Sequence, residues 1–150
     1  MVSDTHGMLR PELMALLGGC DRILHAGDIG SRAVLDGLRG IAPVTAIRGN
    51  IDREPWAREL MHTEAVEVAG VRFYLVHDLA ALALDPVSAG FGVVVSGHSH
   101  RPSVRRLDGT LYVNPGSAGP RRFTLPVTAA VAEVRGGEVK TAIVDLVGAG

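Results

Sequence analysis

The chain has one cysteine, one lysine, almost no net charge and no long apolar run, and each shortage excludes something. Cys20 has no partner for an internal disulfide, which fits a reducing compartment and a small core residue. No Cys-x-x-Cys pair is present to hold a structural zinc. A net charge of -1 over 150 residues argues against a general binder of nucleic acid or anionic membranes. No apolar stretch approaches the ~18 residues of a membrane span, and no basic-then-apolar leader opens the sequence. The expected location is therefore the cytoplasm. With Lys140 the sole lysine, positive charge is carried by arginine, clustered at Arg101/Arg105/Arg106 and Arg121/Arg122. Those clusters read equally as solvated surface or as anion recognition.

No repeat, low-complexity tract or linker interrupts the chain, and its length suits one domain over residues 1–150. "RPELMALLGG" predicts a helix with proline near its start and a Gly-Gly stop. "RILHAGD" predicts a buried strand, "SRAVLDGLRG" a helix capped by Ser31, and "VTAIRGN" another strand. That rhythm implies parallel strands joined by crossover helices. Later, "TEAVEVAGVRFYLVH" predicts two strands meeting at Ala69-Gly70, and "LAALALDPV" a helix before the strand "FGVVVSG". Hairpins follow, turning at Asp108-Gly109 and at Gly136-Gly137. Crossover units followed by hairpins imply two packed sheets with helices outside.

Five predicted strands end in polar residues: Asp4-Thr5-His6, Gly27-Asp28, Gly49-Asn50, His77, and Gly97-His98-Ser99-His100. Ligands gather at the carboxyl ends of strands in such sheets, and glycine lets the backbone turn sharply there. Residues i and i+2 of an extended segment project to one side, so Asp4 and His6 can converge on one ion, while His98 and His100 can face a pair of ions. Alone, an Asp-x-His is usually a solvated turn; the ordered set is what points to metal. Imidazole, carboxylate and amide ligands together suit manganese, iron, nickel or zinc better than magnesium or calcium. His25 reads as core or support beside Asp28, and His62 as an exposed residue at a strand start.

"SDTHG", "HAGD", "RGN", the "LVH" histidine and "GHSHRP" resemble the motifs of the calcineurin-like metallophosphoesterases. "NPGSAGPRR" is similar to a segment of that family's small single-domain bacterial and archaeal phosphodiesterase branch. The resemblance implies an α/β (α+β) fold, a four-layer α/β/β/α sandwich of two mixed sheets flanked by helices. It implies two divalent metals, manganese foremost with nickel, iron or zinc as alternatives. Asp4, His6 and His100 would bind the first, Asn50, His77 and His98 the second, and Asp28 both. A hydroxide activated between the metals would attack phosphorus, with Asn50 holding a non-bridging oxygen. Asp52 matches a catalytic-loop position, and Arg101, Asn114 and Arg121 are candidate substrate contacts. The substrate would be a small phosphoester, with oligomerisation open and no membrane partner.

Three departures qualify the resemblance. Only Met1, Val2 and Ser3 precede the first motif, whereas strands run about 5–6 residues. The first strand is thus shortened, and the expectation is a natural start upstream with Met1 internal to that strand. Ile51 stands where relatives carry a proton donor, histidine or cysteine, so poor leaving groups should suffer. In "HDLA", Asp78 and Leu79 replace the glycine and second histidine of a His-Gly-His. These departures leave an alternative, a non-catalytic protein-interaction scaffold on the same fold. A phosphomonoesterase or nucleotide-polyphosphate hydrolase is a further one. A large apolar patch away from the cleft would favour the scaffold, and an open cationic cleft beside His98 and His100 would favour hydrolysis.

Overall fold

A computed structural model describes residues 1–148. Helices α1 (Pro11–Leu17) and α2 (Arg32–Arg39) alternate with strands β1 (Ile23–His25) and β2 (Val44–Ala46). β1 and β2 pair in parallel, as the crossover rhythm requires. Ser31 caps α2 by accepting the Val34 N–H, and Pro11 sits at the first position of α1, where no hydrogen is missed. Then follow β3 (Thr63–Val68), β4 (Val71–Val76), β5 (Val93–Val95), β6 (Ser103–Leu107), β7 (Thr110–Asn114), β8 (Thr128–Arg135) and β9 (Glu138–Asp145). The larger sheet runs β3-β4-β5-β7-β6, parallel in its centre and antiparallel at both edges.

The first residues complete the other sheet. Val2 makes a parallel bridge to His25, and Met1 and Ala130 exchange main-chain hydrogen bonds. The order is therefore β2-β1-(Met1, Val2)-β8-β9, with the shortened first strand inside the sheet. Alternation sorts its side chains. Val2, Ile23 and Ala129 join Leu13, Leu17, Leu35 and Leu38 beneath the helices. Met1, Leu24 and Ala130 face Phe73, Leu75, Val93, Val95 and Val113 of the larger sheet. Cys20 is half-buried and packs against the helix-side core.

All three hairpins turn on two residues with positive φ, Ala69-Gly70, Asp108-Gly109 and Gly136-Gly137, as type I′ geometry demands. The helix expected over "LAALALDPV" does not form. Only a 3-10 turn, Leu79–Ala81, is present. Asp78 caps it through the Ala80 N–H, Pro86 has no N–H for a helix to use, and Asp85 binds Val87 and Ser88 in a turn of its own. Loop and the one 3-10 turn therefore link β4 to β5, and Phe91 of that link meets Tyr74 of β4 at 5.0 Å between ring centroids.

Candidate metal centre

The strand-end loops converge at one edge of the two sheets. Asp4, His6, Asp28, His98 and His100 all have positive φ, between 47° and 68°. An L-residue held there costs of order 1–3 kcal/mol. The surrounding loops fix it. The Asp4 and His6 N–H groups donate to Gly27 O and Asp28 O, and Ala118 and Gly119 donate to Ser3 O and Asp4 O.

Two ligand groups emerge. In the first, Asp4 Oδ1 is 3.3 Å from His100 Nε2 and 3.7 Å from His6 Nε2, and the two imidazole nitrogens are 3.3 Å apart. In the second, Asn50 Oδ1 is 3.0 Å from His77 Nε2 and 3.3 Å from His98 Nδ1. Asp28 Oδ2 lies between them, 3.6 Å from His6 Nε2 and 3.4 Å from His77 Nε2.

The donor set fits divalent cations. Asp4 Oδ2 is used by Ser3 Oγ–H at 2.6 Å and the His98 N–H at 3.1 Å. Asp4 Oδ1 is fully buried and has no hydrogen-bond donor, a costly state for a carboxylate unless a cation faces it. His77 Nδ1 lies 2.7 Å from Ala26 O, which assigns the proton to Nδ1 and leaves Nε2 a lone pair towards Asn50 and Asp28. Lone pairs thus face lone pairs across the centre, as a metal requires.

Charge follows the same logic. Burial alone would raise the Asp4 pKa, but the adjacent His6 imidazole, the Ser3 hydroxyl and the nearby His77 and His100 hold it below the usual carboxylate range. Asp28 is likewise lowered, its burial outweighed by His77 and the Ile51 N–H. Burial opposes charge on His77, yet the neighbouring Asp28 carboxylate and the Ala26 carbonyl raise its pKa. His100 is lowered by burial, with Arg122 and His6 adding to the shift against Asp4 and Asp28.

Other expected residues have structural duties. Asp52 is buried, and its carboxylate accepts the N–H groups of Ile29, Gly30 and Gly49. It positions the loops bearing Asp28 and Asn50. Asn114 is also buried: its amide donates to Gly97 O and Ser99 Oγ, and its oxygen accepts from Gly116, so nothing remains for substrate. Arg121 is exposed and donates to Gly148 O. The side chain of Arg101 is exposed at the rim.

His25 supports the centre from beneath. Its Nδ1 accepts the Gly27 N–H, so Nε2–H donates to Thr5 Oγ1, which donates on to Ile29 O. Burial lowers its pKa from 6.5 to about 4. The unfolded chain takes this proton near 6.5 and the folded one does not, so stability is lost as pH falls through that interval. The loss is about 3 kcal/mol for a shift of that size. Urea titrations of metal-free protein at pH 7 and pH 4.5 should show the fall, and His25→Gln should flatten it. An equal fall in the variant would assign the effect elsewhere.

Ser3 and Arg48 were not singled out by sequence reasoning. Ser3 opens the "SDTHG" motif already noted. Arg48 precedes Gly49-Asn50 directly, within a motif already noted.

The sequence profile of the calcineurin-like phosphoesterase superfamily domain matches residues 1–137. A probable metallophosphoesterase of Methanothermobacter thermautotrophicus is 33% identical over 138 residues, covering 84% of this chain and 80% of the relative. Among solved structures, an archaeal phosphodiesterase superposes with a TM-score of 0.78 at 23% identity, over 95% of this chain and 97% of that one. Vps29 of Chaetomium thermophilum superposes with a TM-score of 0.77 at 21% identity, over 95% and 92%.

Proposed function

The chain belongs to the calcineurin-like phosphoesterase superfamily, and on that premise we propose that it is a metal-dependent phosphodiesterase acting on small phosphoesters. The observation that carries this reading is the place of Asp28 Oδ2, within 3.6 Å of an imidazole nitrogen from each ligand group. Two divalent ions, manganese foremost, would be held by Asp4, His6, Asp28 and His100 on one side and Asp28, Asn50, His77 and His98 on the other. When bound, they would supply Lewis acidity and lower the pKa of water to near neutrality.

The protein's own residues orient the rest. Asp28 Oδ1 is held by the Ile51 N–H at 3.1 Å, which fixes the carboxylate between the two groups. The Asn50 oxygen faces His77 and His98, leaving its NH₂ as a donor for a phosphoryl oxygen as charge builds. Ile51 is 41% exposed beside this loop and carries no proton. Aryl esters with good leaving groups should therefore turn over best. Ile51→His should raise kcat on alkyl or phenyl phosphodiesters by about tenfold or more while changing nitrophenyl esters little. A uniform change across leaving groups would remove the proton-donor explanation.

The reading is tested with metal-stripped protein and bis-p-nitrophenyl phosphate, with and without Mn²⁺. Hydrolysis should appear only with metal and be lost in His98→Ala, whose side chain is half exposed and contributes little to the core. Folded, metal-loaded protein without activity would favour the scaffold reading, which the likeness to Vps29 keeps open.

A further inference from the structure

The largest cavity beside the metal centre, ≈ 750 Å³, is lined by Asn50, His77 and His98 and also by Arg48, Arg53 and His62. Its volume falls within the ~300–1,000 Å³ of small-molecule sites. The last three residues have no part in the ligand set, and the fold brings them to it by three routes. The Arg48 N–H donates to Met61 O at 2.9 Å, which ties the Asn50 loop to the start of β3. The register Thr63↔Val76, continued by one residue, sets His62 opposite His77. Arg53 Nε donates to Asn50 O at 2.9 Å, so its guanidinium is anchored to the loop that carries a ligand.

Acids and bases in this cavity differ in what is left free. The Asp52 oxygens are taken by three N–H groups, and Asp78 caps Ala80 and lies 3.8 Å from His98 Nε2. Among the described residues, neither Arg48 nor Arg53 has a carboxylate partner, and Arg48 Nε is buried with no acceptor at all. Guanidinium groups match phosphate oxygens in pairs, and a neutral or charged imidazole adds a further N–H.

We propose that Arg48, Arg53 and His62 form an anion subsite that binds a second phosphate group on the substrate. The substrate class is then a small phosphodiester carrying a further phosphate. One phosphate lies at the metals for hydrolysis, and the other lies in the cavity towards β3. This inference rests on the phosphodiesterase reading, and its test is kept separate from it.

Adenosine 3′,5′-bisphosphate and adenosine 5′-monophosphate serve as probes in calorimetric titrations of the Mn²⁺-loaded protein. The bisphosphate should bind more tightly by about tenfold or more. Arg48→Gln and Arg53→Gln should each shrink that preference, and together abolish it. If Arg48→Gln fails to fold, Arg53→Gln with His62→Gln carries the same test, since both residues are exposed. Equal affinity for the two probes in the unmodified protein, or a preference that survives the paired substitutions, would overturn the subsite. Hydrolysis of bis-p-nitrophenyl phosphate, which has no second phosphate, reports separately on the phosphodiesterase reading.

Discussion

Asp28→Ala should abolish metal-stimulated phosphodiester hydrolysis, with a loss on the order of 10³ or more. Asp28 Oδ2 stands within 3.6 Å of imidazoles from both groups, closer to the second than Asp4 Oδ1, which is 4.0 Å from His77 Nε2. Its removal takes one negative charge from the middle of the centre and one oxygen from each side. The thermal response to metal should vanish with the activity. An ion bound to the native state alone adds RT ln(1 + [L]/Kd), about 2.7 kcal/mol at a hundredfold excess over Kd. The native protein should therefore melt higher with added Mn²⁺, and Asp28→Ala should not. A variant that kept both responses would remove Asp28 from the bridging position.

Gly49→Ala should damage the protein by a different route. A Cβ on Gly49 would overlap both the main-chain nitrogen and Oδ1 of Asp28. Rotating the Asp28 side chain relieves only one of these contacts, because the nitrogen belongs to a loop fixed by Asp52. Overpacking of this kind costs about 1–3 kcal/mol. The strain is released by displacing the Asp28 loop, so metal affinity should fall by roughly tenfold to a hundredfold, as when a ligand's supporting contacts are lost. Urea denaturation of metal-free protein and a metal titration measure the two effects. Loss of stability with unchanged metal affinity would show that the loop yields elsewhere.

The candidate ligand positions stood out because strand-end chemistry is local, although positive φ rather than the expected extended backbone sets Asp4, His6, His98 and His100. Asp4 with His6, and His98 with His100, are two residues apart, and glycines flank the others. The crossover units, the type I′ pair at Asp108-Gly109 and the places of the other two turns were legible for the same reason. Asp52 and Asn114 were misjudged because their partners are main-chain groups brought in by the fold: Ile29 and Gly30 for one, Gly97 and Gly116 for the other. A polar side chain near a motif looks available until those distant N–H and C=O groups are placed around it. The helix at residues 79–87 failed differently. Its leucines suggested a period, but Asp78, Asp85 and Pro86 each offer the backbone a competing turn. His62 was read as an exposed strand start, which it is. Only the pairing of β3 with β4 sets it opposite His77.

The ligands sit on five separate loops, from Asp4 near the start to His100 two-thirds along. Roughly twenty residues or more of chain lie between successive loops, a closure cost that only the finished sheets repay. A cation therefore finds no site in a half-built chain, since Asp28 meets His6 and His77 only after β1 and β4 have reached their sheets. Folding must run to near completion without it, and the slow step is the assembly of long-range strand pairs. A metal bound there would act as a late clasp across loops already in place. Its influence would fall on how long the native state lasts rather than on how quickly it is reached.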